Sequence, residues 1–387
     1  MVSHGVKRNL ILQHMLKAII SHMPKESLKV EAFFSSLVNA LHPSVIDRLD
    51  PQFAEIFTKY QAPKLQAHQI TYEEYIADRS RYTFSIAPGP YPSVGNIEIY
   101  KIPVSDPAGE IAAQVYYPTE EAAALAKLKT ADGKLPAHVN YYGGGFVIGG
   151  LQSDESWCRQ VCQIGGCIIV NVDYRLAPEF PHPIPLTDSW TALKWVFASS
   201  EKLGIDASRV SISGLSAGGQ LAAVLALLAR DEPGMPELAL KTLIVPLVDT
   251  RYIPTEGSCD KYFPYRSYIE NGFAPCLPVA RLVWFFNLWL GKDVAKRKEI
   301  SKNFRASPIL ASHHANLAPA SIHVAGVESL TSERIAYHEM LVKAGTKSEL
   351  KVYDGVGHPF GRWDGELDKA KEFVQDTITV LKKAYSM

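Results

Sequence analysis

The sequence predicts an α/β protein with a mostly parallel central sheet that helices cover on both faces. Strand-like and helix-like segments alternate along the chain after residue 134. Such alternation is typical of parallel strands joined by helical crossovers. A short strand also runs directly into residues 214–218, Gly-Leu-Ser-Ala-Gly, and a long apolar helix follows them. That junction indicates where the sheet presents a reactive side chain.

Segments rich in alternating or β-branched apolar residues are the predicted strands. They span residues 97–102, 111–117, 139–142, 168–174, 209–216, 240–248, 321–327 and 350–353. The predicted helices span residues 188–199, 219–228, 333–344 and 369–383. A lysine- and alanine-rich stretch at residues 120–134 predicts a surface excursion from the sheet.

The length of 387 residues allows one large α/β domain with insertions. Residues 1–90 predict an N-terminal helical segment, residues 91–249 the first part of the core domain, and residues 306–387 its continuation. Residues 250–305 break the alternation, because this stretch is about twice as long as a usual crossover and is rich in aromatic side chains. We expect it to be an inserted cap.

The net charge and the cysteine content exclude some classes of protein. The formal net charge is zero, whereas a nucleic-acid-binding protein needs a basic surplus on one face. Five cysteines without a C-x-x-C pair predict free thiols, no metal site and a reducing compartment. The N-terminal apolar runs are too short for a membrane span. We expect a cytoplasmic protein, with a basic mitochondrial transit peptide at residues 1–28 as the alternative.

Residues 214–218 predict a tight turn that carries a nucleophilic serine, Ser216. Side chains at Gly214 and Gly218 would collide with neighbouring backbone, so both positions require glycine. The serine is left strained and exposed at a helix N-terminus, where a base can reach it. From these five residues alone, a phosphate-binding glycine loop stays open as the alternative.

A nucleophilic serine needs a histidine to accept its proton, and twelve histidines are available. His358 is the predicted base, because it lies in a glycine-bracketed loop just after a late strand. His323 falls inside a predicted strand and His338 on a predicted helix. His313 and His314 lie in a loop before the last strands.

The acid that orients the histidine should follow a strand between the serine and the histidine. Glu328 stands at the end of such a strand and is the predicted acid. Asp249 ends an earlier strand and is a weaker rival, whereas Asp354 is too close in sequence to His358. Glu333 lies inside the next predicted helix and is expected to cap it or face solvent.

Three consecutive glycines follow the strand at residues 139–142. Without side chains, Gly143, Gly144 and Gly145 can turn their amides inward. Together with the N–H group of Ala217, behind the serine, they predict an oxyanion hole, which needs backbone donors where negative charge develops.

Taken in order, these motifs resemble the hormone-sensitive-lipase-like branch of the α/β-hydrolases. Residues 142–146, Tyr-Gly-Gly-Gly-Phe, resemble the family's H-G-G-G-F loop, and residues 173–179 match its D-Y-R-L-A-P-E segment. Residues 214–219 resemble its G-D-S-A-G-G elbow. Residues 328–330, Glu-Ser-Leu, stand where the family has D-P-L, and residues 358–360, His-Pro-Phe, where it has H-G-F. The resemblance covers residues 95–387.

The resemblance implies an α/β-hydrolase fold, acyl-ester substrates and no cofactor or metal. It also implies a helical cap built from the N-terminal segment and the insertion. Asp173, Arg175 and Glu179 resemble a structural ion network that supports the oxyanion loop.

Three departures from the family pattern accompany the resemblance. Tyr142 replaces a histidine that helps to hold the oxyanion loop, so loop geometry and substrate preference are expected to differ. Leu215 replaces an acid beside the nucleophile. Glu328 replaces an aspartate, which the chemistry tolerates, and none of the three changes removes a member of the triad.

The predicted function is the hydrolysis of small to medium apolar or aromatic carboxylic esters through an acyl-enzyme. Lactone opening or acyl transfer in a specialised pathway stays open, as does a non-catalytic ligand receptor on the same fold. The expected partners are a small-molecule ester and, as an open alternative, a second copy of the chain in a homodimer. The residues expected to contact substrate are Tyr142, Phe146, Leu215, Tyr262, Phe263, Tyr265 and Phe286.

Overall fold

A computed structural model describes residues 38–82, 87–126, 130–254 and 263–386. Residues 1–28, the possible transit peptide, lie outside these ranges, as do Tyr262 and Cys259. At the centre is an eight-stranded sheet with the order β1-β2-β4-β3-β5-β6-β7-β8. The strands are β1 (Asn96–Ser105), β2 (Ala108–Tyr117), β3 (Leu135–Tyr141), β4 (Ile168–Asp173), β5 (Ile205–Leu215), β6 (Leu240–Ile244), β7 (Ala320–Ala325) and β8 (Ser348–Tyr353).

The sheet is parallel from β4 to β8 and antiparallel at β1 and β2. In the central strands, Val139 of β3 lies between Val170 of β4 and Ile212 of β5. Every residue of β3 is buried, as expected for a strand that helices cover on both faces. The predicted α/β class with a mostly parallel sheet is confirmed.

Helices occupy the crossovers and both ends of the described chain. They are α1 (Pro43–Ile46), α2 (Pro51–Tyr60), α3 (Tyr72–Ala77), α4 (Glu120–Ala126), α5 (Glu155–Gly165), α6 (Ile184–Ala198), α7 (Ser200–Leu203), α8 (Ala217–Asp231), α9 (Arg266–Glu270), α10 (Val279–Trp289), α11 (Val294–Ser301), α12 (Thr331–Lys343) and α13 (Asp368–Tyr385). In the described part of the chain, no helix is long and apolar enough to cross a membrane.

Two predicted elements differ from the structure. The strand predicted to reach residue 248 ends at Ile244, because Val245 adopts a positive φ of 40° that an extended strand cannot hold. The stretch predicted as a surface excursion contains α4, which buries Ala122 and Ala123. Small alanines allow a helix to approach the protein body closely, and the lysines that suggested an excursion follow α4.

Helices outside the sheet crossovers position the loops of the later strands. The amide of Asp50, which caps α2, donates to the carbonyl of Gly355 at 2.8 Å. On the same helix, Phe53 packs against Trp363 with ring centroids 5.0 Å apart. Helix α10 packs against the short turn Ala67–Gln69. The N-terminal helices therefore contact the residues that follow β8, and the aromatic insertion contacts the N-terminal segment.

The cysteines of the described residues are free thiols, and all of them are buried. They are Cys158, Cys162, Cys167 and Cys276. Burial raises the pKa of each thiol, so the reactive thiolate form is disfavoured at neutral pH.

Candidate active site

Ser216 stands on the tight turn between β5 and α8. Its backbone has φ 57° and ψ −110°, a strained conformation for a residue with a side chain. A Cβ added to Gly214 would lie 2.1 Å from the carbonyl carbon of Gly218, and one added to Gly218 would lie 1.8 Å from the carbonyl oxygen of Tyr141. The steric requirement for glycine at both positions is confirmed.

A cleft of about 610 Å³ opens over this turn. Ser216 and His358 both line it, and the remaining lining is largely apolar. The lining residues are Gly144, Gly145, Phe146, Ile148, Leu215, Ser216, Ala217, Leu247, Cys276, Leu277, Arg281, Leu282, Phe285, Phe286, Leu330, His358, Pro359 and Arg362. An apolar cleft with a few polar groups is typical of a site for a small organic ligand.

The structure brings His358 and Glu328 into contact. His358 lies in the loop after β8 and Glu328 in the loop after β7, so adjacent parallel strands deliver both side chains to one edge of the sheet. The imidazole Nδ1 of His358 donates to Glu328 Oε1 at 2.8 Å. This contact leaves Nε2 as the ring nitrogen available to a group in the cleft.

Arg334 holds Glu328 from the other side. Its guanidinium donates to both carboxylate oxygens, with 2.6 Å between Nη1 and Oε2. Both side chains are fully buried. Two further hydrogen bonds fix Arg334, one to the carbonyl of Pro246 and one to that of Val245, each at 2.7 Å. A bidentate ion pair of this kind fixes the plane of the carboxylate as well as its position.

The charges at this site favour a neutral histidine beside an ionised acid. Burial alone would raise the pKa of Glu328, but Arg334 and His358 outweigh it and lower that pKa to about 2. Burial lowers the pKa of His358, although Glu328 opposes the effect. At neutral pH the imidazole is therefore free to accept a proton.

Three of the four predicted oxyanion-hole residues line the cleft. They are Gly144, Gly145 and Ala217. Among the backbone and side-chain hydrogen bonds of the described ranges, none uses the amide N–H of these three residues. The fourth, Gly143, does not line the cleft, because it packs against Leu215 and its carbonyl accepts from Arg362.

The loop that carries the predicted oxyanion-hole glycines is fixed from both sides. Gly144 and Gly145 have positive φ values of 146° and 61°, which favour glycine. On the cleft side, a Cβ at Gly145 would lie 2.3 Å from the ring of Phe285. On the far side, Tyr142 stacks on Tyr174 with ring centroids 4.5 Å apart.

Tyr142 lies behind the loop rather than in the substrate cleft. Its side chain is fully buried, and its hydroxyl lies 3.0 Å from Asp173 Oδ1 and 3.1 Å from the carbonyl of Tyr174. In return, the Tyr174 hydroxyl donates to the carbonyl of Tyr142 at 2.6 Å. The structure therefore places this predicted substrate contact as a support of the loop.

The predicted ion network of Asp173, Arg175 and Glu179 is wrong as a single network. Asp173 is the acceptor for the loop tyrosine described above. Arg175 pairs instead with Asp188 at 2.7 Å, and Glu179 pairs with Arg79 at 2.8 Å. The three side chains serve three separate contacts.

The other predicted pocket residues divide between the cleft and its surroundings. Phe146, Leu215 and Phe286 line the cleft. Tyr265 does not, since its hydroxyl donates to a neighbouring carboxylate, and Phe263 packs away from the cleft against another tyrosine. Tyr262 lies outside the described residues.

The expectation that Glu333 caps a helix or faces solvent is wrong. Glu333 is fully buried and accepts from the amide of Val248 at 2.9 Å and from the Tyr268 hydroxyl at 2.9 Å. Burial raises its pKa to about 8. The rival acid Asp249 pairs with Arg251 at 2.7 Å, away from the histidine.

Sequence reasoning missed three prominent residues of the cleft, namely Arg281, Phe285 and Arg362. Arg281 is the single charged residue of α10, whose other side chains are apolar except for one asparagine. A lone charge in an apolar helix is the signal that could have identified it. In the described part of the chain, no group of three or more His, Cys, Asp or Glu side chains could hold a metal ion.

Known proteins resemble this chain over most of its length. A family model described as alpha/beta hydrolase fold matches residues 138–362. An AB hydrolase superfamily protein of Schizosaccharomyces pombe is 33% identical over 355 residues, which cover 89% of this chain and 97% of that protein. Esterase LipI of Mycobacterium tuberculosis is 32% identical over 286 residues, which cover 74% of this chain and 82% of that protein. The crystal structure of EstE1, a thermostable carboxylesterase cloned from a metagenomic library, is 31% identical with a TM-score of 0.65, and the match covers 76% of this chain and 90% of that one.

Proposed function

This chain belongs to the hormone-sensitive-lipase-like carboxylesterase family of α/β-hydrolases, and from that premise we propose that it hydrolyses carboxylic esters through an acyl-enzyme on Ser216. The observation that carries the proposal is the set of groups around one cleft. A strained serine, a histidine bonded to a buried glutamate, and three amides without partners among the described residues all meet there. Each supplies one requirement of acyl transfer.

The proposed reaction has two halves. Ser216 Oγ attacks the ester carbonyl carbon while Nε2 of His358 accepts the hydroxyl proton. The carbonyl oxygen becomes an oxyanion that the amides of Gly144, Gly145 and Ala217 stabilise. When the carbon–oxygen bond to the alcohol breaks, His358 returns the proton to the leaving oxygen. Water then attacks the acyl-enzyme by the same route and releases the acid.

Glu328 supports both halves without exchanging a proton. It accepts the Nδ1–H of His358, which selects the tautomer with a basic Nε2 and stabilises the imidazolium that forms. Arg334 keeps Glu328 ionised and oriented, since the carboxylate has a pKa of about 2. The acid therefore stays charged over the whole pH range in which the histidine acts.

The cleft favours small to medium substrates with apolar or aromatic groups. Phe146, Phe285 and Phe286 present rings to it, and leucines supply much of the remaining wall. Apolar surface that leaves water on binding contributes about 25 cal/mol per Å², so a complementary acyl or alcohol group gains affinity. Helix α10 carries two of these rings, and we propose that the aromatic insertion and the N-terminal helices form the cap over the serine.

The test uses p-nitrophenyl butyrate and two serine variants. Ser216→Ala is expected to lower kcat by at least about 10⁴-fold, because the nucleophile is lost. Ser211→Ala, which changes a buried serine of the same strand outside the cleft, is the control and should keep kcat near that of the wild type. Substantial turnover by folded Ser216→Ala would contradict the proposal.

A further inference from the structure

Arg281 is a buried cation in the wall of the substrate cleft. It projects from α10, and only 4% of its surface is exposed. Its guanidinium carbon lies 5.5 Å from the centroid of Phe285, one turn further along the helix. Phe285 also packs directly against Gly145, so the same ring lies beside the guanidinium and against the loop of the predicted oxyanion hole.

The partners of this guanidinium are neutral. Nη1 donates to the carbonyl of Cys276 at 2.8 Å and lies 3.5 Å from Gln66 Oε1. Nε is buried, and within the described ranges it has no hydrogen-bond partner. No carboxylate there pairs with Arg281, and the side chains that act on its pKa are Cys276, Tyr75 and Arg362.

Such an arrangement is unfavourable for the protein alone. A buried charge without an opposite charge loses its hydration and recovers little in return. Burial lowers the pKa of Arg281 to about 10, which still leaves the group charged at neutral pH. Among the described residues, Arg281 therefore has no opposite charge, and it lines the same cleft as Ser216 and His358.

Two other arginines near the cleft show the contrasting arrangement. Arg362, which also lines the cleft, pairs with Asp154 at 2.9 Å, and Arg334 pairs with Glu328 through both of its terminal nitrogens. No acidic side chain is among the described residues that line the cleft. A negatively charged ligand in the cleft would supply the opposite charge that Arg281 lacks among the described residues.

We propose that the substrate of this enzyme is an ester that carries a second, free carboxylate, which Arg281 binds. This inference rests on the proposed ester hydrolysis and specifies its substrate class. A carboxylate matches the planar donor edge of a guanidinium, and its single charge balances the single unpaired cation. The rest of the substrate is apolar, like the remaining wall. The acid group sits on the acyl or on the alcohol side of the ester.

The first experiment compares charged and neutral substrates on the wild-type enzyme. On the acyl side, the pair is p-nitrophenyl hydrogen adipate and its terminal monoamide. On the alcohol side, the pair is 6-acetoxyhexanoate and 6-acetoxyhexanamide. In at least one pair we expect kcat/KM for the carboxylate to exceed that for the amide by about 10- to 100-fold, the range of a hydrogen bond to a charged group. Equal rates within both pairs would overturn the inference.

The second experiment changes the arginine. Arg281→Gln should bring the ratio of kcat/KM for the carboxylate to kcat/KM for the neutral amide close to one, whereas Arg281→Lys should keep part of the preference. Arg297→Gln is the matched control. Arg297 is a buried arginine on α11 that donates to Asn287 and does not line the cleft.

The outcomes distinguish failure of this inference from failure of the proposed ester hydrolysis on which it rests. If folded Arg281→Gln loses activity equally on charged and neutral esters, Arg281 has a structural role only and the inference fails. If wild-type enzyme hydrolyses neutral esters but not carboxylates, the inference fails and ester hydrolysis stands. If it hydrolyses no ester at all, the proposed function fails with it. The wild-type comparison needs no variant, so a variant that does not fold leaves the test intact.

Discussion

Two walls of the same cleft satisfy their buried charges in different ways. Behind the sheet-side wall, which His358 lines, Glu328 has His358 on one oxygen and Arg334 on both, so each charged group has an opposite or accepting partner. On the α10 side, the guanidinium of Arg281 has only a carbonyl and an amide oxygen, with Nε unpaired among the described residues. The first wall is complete before substrate binds, and the second is completed by the substrate.

We infer from this difference that the sheet-side groups determine the reaction and that the α10 side determines the choice of substrate. Substitutions on the sheet side should change the rate for every ester, because they act on groups common to all of them. Substitutions on the α10 side should change the ratio of kcat/KM between one ester and another.

The largest expected effect comes from the sheet side. Glu328→Gln should lower kcat by about 10²- to 10⁴-fold on all esters, because the imidazole loses the partner that fixes its tautomer. Glu333→Gln is the matched control, since Glu333 is equally buried but bonds Val248 and Tyr268 rather than the histidine. Both variants are assayed on one neutral and one charged ester. A loss confined to one ester would break the distinction between the two walls.

Arg334 should act through the acidity of His358. Activity requires neutral imidazole, and burial lowers the pKa of His358, so the acid limb of kcat/KM should have its midpoint below about pH 6.5, the ordinary imidazole value. Arg334→Met removes a positive charge that opposes protonation of His358, so the pKa of His358 rises and the midpoint moves to higher pH. Arg334→Lys keeps the charge and should move it less.

A purely structural role for Arg334 gives a different profile. Loss of folded enzyme would lower kcat/KM by the same factor at every pH and leave the midpoint in place. A pH series on both variants, with the folded fraction measured by thermal melting, separates the two cases. An unchanged or lower midpoint in folded Arg334→Met would contradict the electrostatic role.

The smallest effect is expected from single rings of the insertion. Across p-nitrophenyl esters that range from acetate to octanoate, Phe286→Ala should change the ratios of kcat/KM by about 10-fold, the range for a changed apolar contact. Phe263→Ala is the control, because Phe263 packs on Tyr268 and does not line the cleft. Parallel changes in both variants would mean that cap stability, not contact, sets the preference.

The residues of the sheet side could be predicted from the sequence because they lie at strand ends, where the chemistry allows few residue types. A Cβ at Gly214 or Gly218 would lie 2.1 or 1.8 Å from neighbouring backbone atoms. Both positions therefore require glycine, which gives the turn a recognisable sequence pattern. Glu328 and His358 each follow a strand, and parallel strands end at one edge of the sheet. Pattern and position together were enough to place these residues.

The α10 side could not be predicted in this way, because an aromatic residue can face the cleft or the interior with the same sequence pattern. The hydroxyl of Tyr265 is taken by Asp249, a contact between residues sixteen positions apart that no local rule specifies. Tyr142 gave the opposite error, since its place beside the oxyanion loop suggested substrate contact while its hydroxyl turns towards Asp173.

The central claim is that Ser216 is the nucleophile and His358 its base, and covalent labelling tests it most directly. Wild-type enzyme treated with a fluorophosphonate should carry one adduct, located by peptide mass spectrometry on Ser216. Labelling should be absent in Ser216→Ala and much slower in His358→Ala, where the serine keeps its proton. An adduct on another residue, or equal labelling of wild type and Ser216→Ala, would contradict the account.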